Sequence, residues 1–266
     1  LFAAQGQHEE ANGLYLRAID IGKKMMGPNH PDLATWLKNR AGLLSNQGRF
    51  VEAEPLFERA TEIMERASGP DHPTVATALN DRARLLEKQY AEAEPLYKRS
   101  LAIDEKFHGP NHSEAATDLN NWACFYHTPV VFSRHAQGKY AEAEPLYERA
   151  QAIREKVLGP HHPDVASSLI NRAGSPATLS TAFQGKYEEA EPLYKRSLAI
   201  DEKVYGPDHP EVDTDLNNWA GLLESQGSHA EAVLLNERAT DIWMKALGPE
   251  HPTVAPALNN RARLLS

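Results

Sequence analysis

The sequence predicts an all-α fold, a right-handed superhelical solenoid of antiparallel helical hairpins. Three observations predict it. The dipeptide Gly-Pro recurs at Gly27-Pro28, Gly69-Pro70, Gly109-Pro110, Gly159-Pro160, Gly206-Pro207 and Gly248-Pro249, at intervals of 42, 40, 50, 47 and 42 residues. A period of that size marks stacked supersecondary units rather than one globular core. Within a period, two stretches of helical apolar spacing follow one another across short turns, with proline and glycine where helices start and stop.

Residues 29–70 serve as the reference unit. Asn29-His30-Pro31-Asp32 reads as a helix start, with a polar cap, a proline suited to the first helical position and an acidic residue in the first turn. Leu33, Leu37, Ala41 and Leu44 then share one helical face. Gln47-Gly48 ends this first helix, and a second runs from about Val51 to Ala67 with Ala53, Leu56, Phe57, Ala60, Ile63 and Met64 as its apolar stripe. Pro55 falls about one turn inside, where backbone N–H groups lack intrahelical partners. Ser68-Gly69-Pro70 stops the second helix. Neither helix can bury its stripe alone, so neighbours must stack. The predicted units are 1–28, 29–70, 71–110, 111–160, 161–207, 208–249 and 250–266, half-repeats at both ends of a single solenoid, read as a fragment of a longer protein.

Composition narrows the function. The chain has 266 residues, 41% of them hydrophobic, a formal net charge of −9 and one cysteine, Cys124. No segment approaches the roughly 18 apolar residues of a membrane span. No basic run offers the concentrated positive face that nucleic acid requires. A lone cysteine forms no internal disulfide and no multi-cysteine zinc site, and it fits a reducing, cytoplasmic setting.

The strings Asn120-Asn121-Trp122-Ala123, Gln137-Gly138-Lys139-Tyr140-Ala141-Glu142-Ala143-Glu144-Pro145-Leu146-Tyr147 and Arg154-Glu155-Lys156-Val157-Leu158-Gly159-Pro160 resemble the tetratricopeptide repeats of kinesin light chain. His162-Pro163-Asp164-Val165-Ala166 extends the likeness, as does a period near 42 residues where the ordinary repeat has about 34. Where that family usually has Leu before the first-helix alanine, this chain has Arg40, Arg82, Trp122, Arg172, Trp219 and Arg261. The resemblance implies a non-enzymatic protein-interaction scaffold, in a cargo-adaptor-like role, whose first helices line a concave groove for extended peptides.

On a helical wheel, about 100° per residue, a second stripe falls away from the core stripe. It holds Thr35, Thr77, Thr117, Ser167 and Thr214 in one column. The next column holds Lys38, Asn80, Asn120, Ile170, Asn217 and Asn259, and the one after it Gly42, Arg84, Cys124, Gly174, Gly221 and Arg263. Asparagine amides pair with an extended backbone without reading its side chains, small neighbours leave room for it, and Lys38, Arg84 and Arg263 suit acidic groups. The candidate groove residues are therefore Thr35, Lys38, Thr77, Asn80, Arg84, Thr117, Asn120, Thr214, Asn217, Asn259 and Arg263, with protein or peptide partners.

Six histidines stand in register: His30, His72, His112, His162, His209 and His251. Stacked repeats sit roughly 10 Å apart, too far for shared metal ligation, so helix capping is the reading. No nucleophile turn or phosphate-binding loop appears, and the chain is read without catalytic residues, cofactor or metal. The Arg/Trp column is read as packing, with polar ends escaping to water or to Glu. Extra residues interrupt two repeats at Cys124–Ala136 and Gly174–Phe183, each with a proline, Pro129 or Pro176, and are read as tolerated insertions. The turn at Lys88-Gln89-Tyr90 lacks glycine, whereas Gly138-Lys139 and Gly185-Lys186 mark repeat turns. Two other functional classes fit the same repeats: an array that self-associates end to end, and a ligand-sensing array attached to a nucleotide-binding domain.

Overall fold

A computed structural model describes residues 2–86, 90–127, 134–175 and 189–251, and positions 254, 255, 258, 259 and 262 beyond them. The chain divides into two compact units, residues 1–128 and 129–266. The first holds α1 (Phe2–Met26), α2 (Pro31–Asn46), α3 (Phe50–Ser68), α4 (Pro73–Leu85), α5 (Tyr90–His108) and α6 (Ser113–His127). The second holds α7 (Arg134–Leu158), α8 (Pro163–Ala173), α9 (Ala190–Tyr205), α10 (Val212–Ser225) and α11 (His229–Leu247). Among the described residues every regular element is a helix, and within each unit each helix packs on its neighbours in the chain. None of these helices is long and apolar enough to cross a membrane.

Local chemistry sets the helix ends. Nδ1 of His30, His72, His112, His162 and His209 accepts the backbone N–H two residues on, at 3.3, 3.3, 3.3, 3.1 and 3.2 Å. The register of histidines is thus a register of caps, and in α2, α4 and α8 a proline follows at the first helical position. At the other end Gly69 leaves α3 with φ 93° and ψ 155°, a region open in practice only to a residue without Cβ. Its N–H closes the last turn on the Glu65 carbonyl at 3.0 Å. Gly48, with φ 75°, makes the turn between α2 and α3, and Arg49 N–H reaches back to the Leu44 carbonyl at 2.9 Å.

One turn is not where the sequence placed it. Gln137-Gly138 lies inside α7, which starts at Arg134. A glycine costs a helix interior only about 1 kcal/mol, and the helix-forming run that follows carries it. The glycine-free turn at Lys88-Gln89, the insertion residues around Pro129 and Pro176, and Gly185-Lys186 lie outside the described residues.

The predicted stripes form the core. Leu33, Leu37, Ala60 and Ile63 pack together with Ile19 of the preceding helix, and Ala41, Leu44, Ala53 and Phe57 form the next layer. The same pattern returns as Val75, Leu79 and Ile103 in the first unit and as Val165, Leu169 and Ile200 in the second. Each such aliphatic side chain contributes about 1.5–3 kcal/mol of burial.

Arginines tie one repeat to the next. Arg59, Arg99, Arg196 and Arg238, ten residues before their Gly-Pro, donate through Nη2 to the carbonyls of Pro28, Pro70, Pro160 and Pro207 at 3.1, 3.2, 3.5 and 2.8 Å. Three of them also pair with a glutamate of the preceding second helix: Arg99 with Glu65 at 2.7 Å, Arg196 with Glu155 at 2.7 Å and Arg238 with Glu202 at 2.6 Å. The Arg/Trp column packs as read from sequence, but its polar ends escape only in part: Arg82 and Arg172 reach glutamate, whereas Nε1 of Trp122 and of Trp219 is buried without a hydrogen-bond partner among the described residues. Arg172 reaches Glu144 at 2.6 Å and Glu148 at 2.7 Å, Arg82 reaches Glu58 at 3.3 Å, and Trp219 packs against buried side chains of α9, α10 and α11. Lysines cover the outer faces of the tryptophans, Lys98 over Trp122 at 5.7 Å and Lys195 over Trp219 at 5.5 Å.

Candidate functional site

Packing α2 against its neighbours leaves a groove of about 760 Å³ in the first unit. The C-terminal halves of α2 and α4 form its walls, through Lys38 and Gly42 on one side and Asp81 and Arg84 on the other. Those spacings, four and three residues, put each pair on one helical face. Tyr15 of α1 and Phe50 at the start of α3 add aromatic surface, and Phe50 is 44% exposed. A Cβ added at Gly42 would meet nothing within 4 Å, so the glycine leaves free space along its wall.

Two cations face this space differently. Lys38 Nζ bridges to Asp81 Oδ2 at 3.3 Å, which joins the two walls and holds the lysine half-buried. Arg84 is exposed and makes no ion pair with any described residue. The groove therefore offers one neutralised cation, one open guanidinium and three aromatic rings, Tyr15, Phe50 and the buried Phe57, around a small-residue gap.

The predicted columns are partly brought together. Thr35, Thr77, Thr117 and Thr214 are all exposed on first helices. Thr77 and Thr117 donate their hydroxyls to the Pro73 and Ser113 carbonyls of their own helices at 3.2 and 3.1 Å. The asparagine column is not the open ladder the wheel implied. Asn80 is 7% exposed; its Nδ2 donates to Asp118 Oδ1, and its Oδ1 accepts from Asn121 Nδ2 at 3.1 Å. Helix α6 packs on α4 from this side, so Asn80 falls on the shoulder between groove and repeat junction. Asn120 is also 7% exposed, with Nδ2 toward Cys124 Sγ at 3.8 Å. Asn217 turns its Nδ2 back on Asp213, to Oδ1 at 2.7 Å and the carbonyl at 3.0 Å. Asn259 is exposed, and Arg263 lies outside the described residues.

Sequence reasoning missed Tyr15 and Phe50, because α1 and α3 bring them to the site, and Asp81, which shares α4 with Arg84 but stands outside the three columns of the wheel. A signal for Phe50 was present. The residue two before the Glu-Ala of the second helix is aromatic in most repeats: Phe50, Tyr90, Tyr140 and Tyr187.

A family model described as tetratricopeptide repeat matches residues 1–65, 32–89, 123–175 and 179–242, and a second model of the same description matches 75–114. No curated protein matches the chain. Among solved structures, BtubC (BKLC) from P. vanneervenii is similar at a TM-score of 0.69 and 19% identity, over 92% of this chain and 94% of that one. The nearly identical repeats of a putative kinesin light chain from Podosopora anserina are similar at a TM-score of 0.63 and 25% identity, over 82% of this chain and 98% of theirs. The Rap protein complexed with Competence and Sporulation Factor shares the fold at a TM-score of 0.59 and 15% identity, over 96% of this chain and 74% of that one.

Proposed function

The chain belongs to the tetratricopeptide repeat family, and on that premise we propose that it is a protein-interaction scaffold holding an extended segment of a partner in the groove of its first unit. The observation that carries this reading is the open Arg84 guanidinium beside an aromatic-walled groove of about 760 Å³. A carboxylate of the partner completes Arg84 in a bidentate pair. Tyr15 and Phe50 take apolar surface next to it, and Gly42 and Thr35 let a backbone pass closely. The cargo-adaptor role that the light-chain resemblance implies is the specific form of this proposal.

The test is selection of displayed random peptides on the whole chain, followed by affinities for wild type, Arg84→Gln and an edge control, Lys106→Gln. Lys106 pairs with Asp71 across a repeat boundary, away from the groove lining. The selected peptides should carry an acidic residue. Arg84→Gln should weaken them about ten- to a hundredfold, the range of a hydrogen bond to a charged group, and Lys106→Gln should leave them unchanged. No enrichment, or equal affinity for Arg84→Gln and wild type, removes the groove as the binding site.

A further inference from the structure

Where a second helix meets the following first helix, two positions face each other: five residues before Gly of Gly-Pro, and six after the capping histidine. At most junctions the two residues complement one another. Gly22 faces Trp36, whose Cζ3 lies 2.3 Å from where a Cβ would stand. Arg154 faces Ser168, with Nη1 donating to Oγ at 2.6 Å. Met64 packs against the cluster of Val75, Ala76, Leu79 and Ile103, and the residue at its facing position is the small Ala78. Two junctions break this logic and put carboxyl against carboxyl: Asp104 with Asp118 between α5 and α6, and Asp201 with Asp215 between α9 and α10.

All four aspartates are buried, at 5, 4, 8 and 0% exposure. The surroundings supply hydrogen-bond donors but no strong counter-charge. In the first unit the Ser100 hydroxyl of α5, with one proton to give, lies 3.0 Å from Asp118 and 2.8 Å from the Ala76 carbonyl of α4, and Asn80 of α4 donates to Asp118. The titratable groups facing this pair are Glu114 of α6, His108 of α5 and His112 before α6. In the second unit Ser197 of α9 donates to the Ala166 carbonyl of α8 at 3.0 Å. There the facing groups are Glu202 of α9, Glu211 before α10 and Tyr205 of α9. Asp104 Oδ1 and Asp201 Oδ1 are buried without a conventional hydrogen-bond donor, and both oxygens of Asp215 are buried with only the Ser197 hydroxyl, whose proton goes to the Ala166 carbonyl, beside them. Two carboxyl groups within bonding reach in a dry junction can hydrogen-bond only through a shared proton, because both cannot ionise there.

We propose that these two junctions are proton-binding sites: each carboxyl pair holds one proton at neutral pH, and its release puts a second uncompensated charge into the junction and loosens the stacking of α5 on α6 and of α9 on α10. Burial pushes all four groups upward, Asp118 and Asp215 to about 7. Unfolded aspartate titrates near 3.9, so the folded chain binds more protons across the interval between. The contribution is complete below the unfolded value and is lost as pH rises through about 7. One proton per pair makes the folding constant fall by up to about tenfold per pH unit for each pair.

The experiment is urea unfolding of the whole chain between about pH 5 and 8.5, for wild type, Asp104→Asn, Asp201→Asn and the double variant, beside a carboxyl-carbon NMR titration of wild type. An amide keeps the shape and the hydrogen bond but cannot lose a proton. His108 and His112 face Asp104, whereas no histidine acts on Asp201 or Asp215, so Asp201→Asn and the carboxyl titration are the readings that isolate the carboxyls. The ratio of variant to wild-type folding constant should rise with pH, by up to about tenfold per unit for each single variant, and the double variant should combine both effects. Two aspartate carboxyls should titrate near pH 7. Parallel pH profiles overturn the proposal, and so does a wild-type titration in which every aspartate changes below about pH 5. That last measurement decides the matter even where a variant fails to fold.

Discussion

The edge that carries the Gly-Pro turns and the face that carries the groove come from the same helices, yet they have been copied with different strictness. On the edge, five histidines make the same cap and four arginines reach the same proline carbonyl. On the face, one column reads Lys38, Asn80, Asn120, Ile170, Asn217 and the next Gly42, Arg84, Cys124, Gly174, Gly221. The edge satisfies needs that recur in each repeat: an orphaned helix start, a helix end, a neighbour to hold. The face has no such obligation except where it runs into a junction, as at Asn80. Within one chain, sameness marks what the fold requires and variation marks where a ligand can be read.

The comparison fails first if the core beneath both regions is not what fixes them. Leu33→Ala removes a fully buried side chain packed on Ile19 and Ile63 and should cost about 2–5 kcal/mol in urea unfolding. Gly69→Ala tests the edge alone. The new Cβ has room, since nothing lies within 4 Å, but φ of 93° with ψ of 155° is strained for any L residue. A loss of about 1–3 kcal/mol is expected from backbone strain without any clash. His72→Ala removes the acceptor of the Thr74 N–H and should cost about 0.5–2 kcal/mol at neutral pH. A His72→Ala protein as stable as wild type at neutral pH makes the histidine register decorative.

Much of the edge was legible in the sequence, because caps and stops depend on residues within a few positions of one another. His30-Pro31 and Gly69-Pro70 state their structure locally. The Arg59, Arg99, Arg196 and Arg238 contacts did not, although the spacing of ten residues before each Gly-Pro was visible. Nothing local says which carbonyl lies in reach. Gln137-Gly138 shows the limit from the other direction: a turn signal lost to a helix that continued through it. On the face, the wheel found Lys38, Gly42 and Arg84, which come from first helices alone. It could not find Tyr15 or Phe50, contributed by other helices, or foresee that Asn80 is covered by α6.

The smallest expected effect on stability is the sharpest probe of the difference between the two regions. Arg84 is exposed and makes no ion pair with any described residue, so Arg84→Gln should change unfolding free energy by no more than about 0.5 kcal/mol. The same change should remove most of the affinity for an acidic segment. Lys38→Gln should behave differently, because Lys38 bridges to Asp81 and joins two helices. A half-buried pair of that kind should register weakly in stability as well as in binding, by roughly 0.5–1 kcal/mol after solvent screening. A double-mutant cycle across Lys38 and Asp81 reads the bridge directly. Coupling at that pair, with none between Arg84 and any neighbour, separates the cation that holds the groove open from the one that waits for a ligand. If Arg84→Gln instead destabilises the chain as much as His72→Ala does, the face is bound by the same structural demands as the edge, and its variation carries no functional meaning.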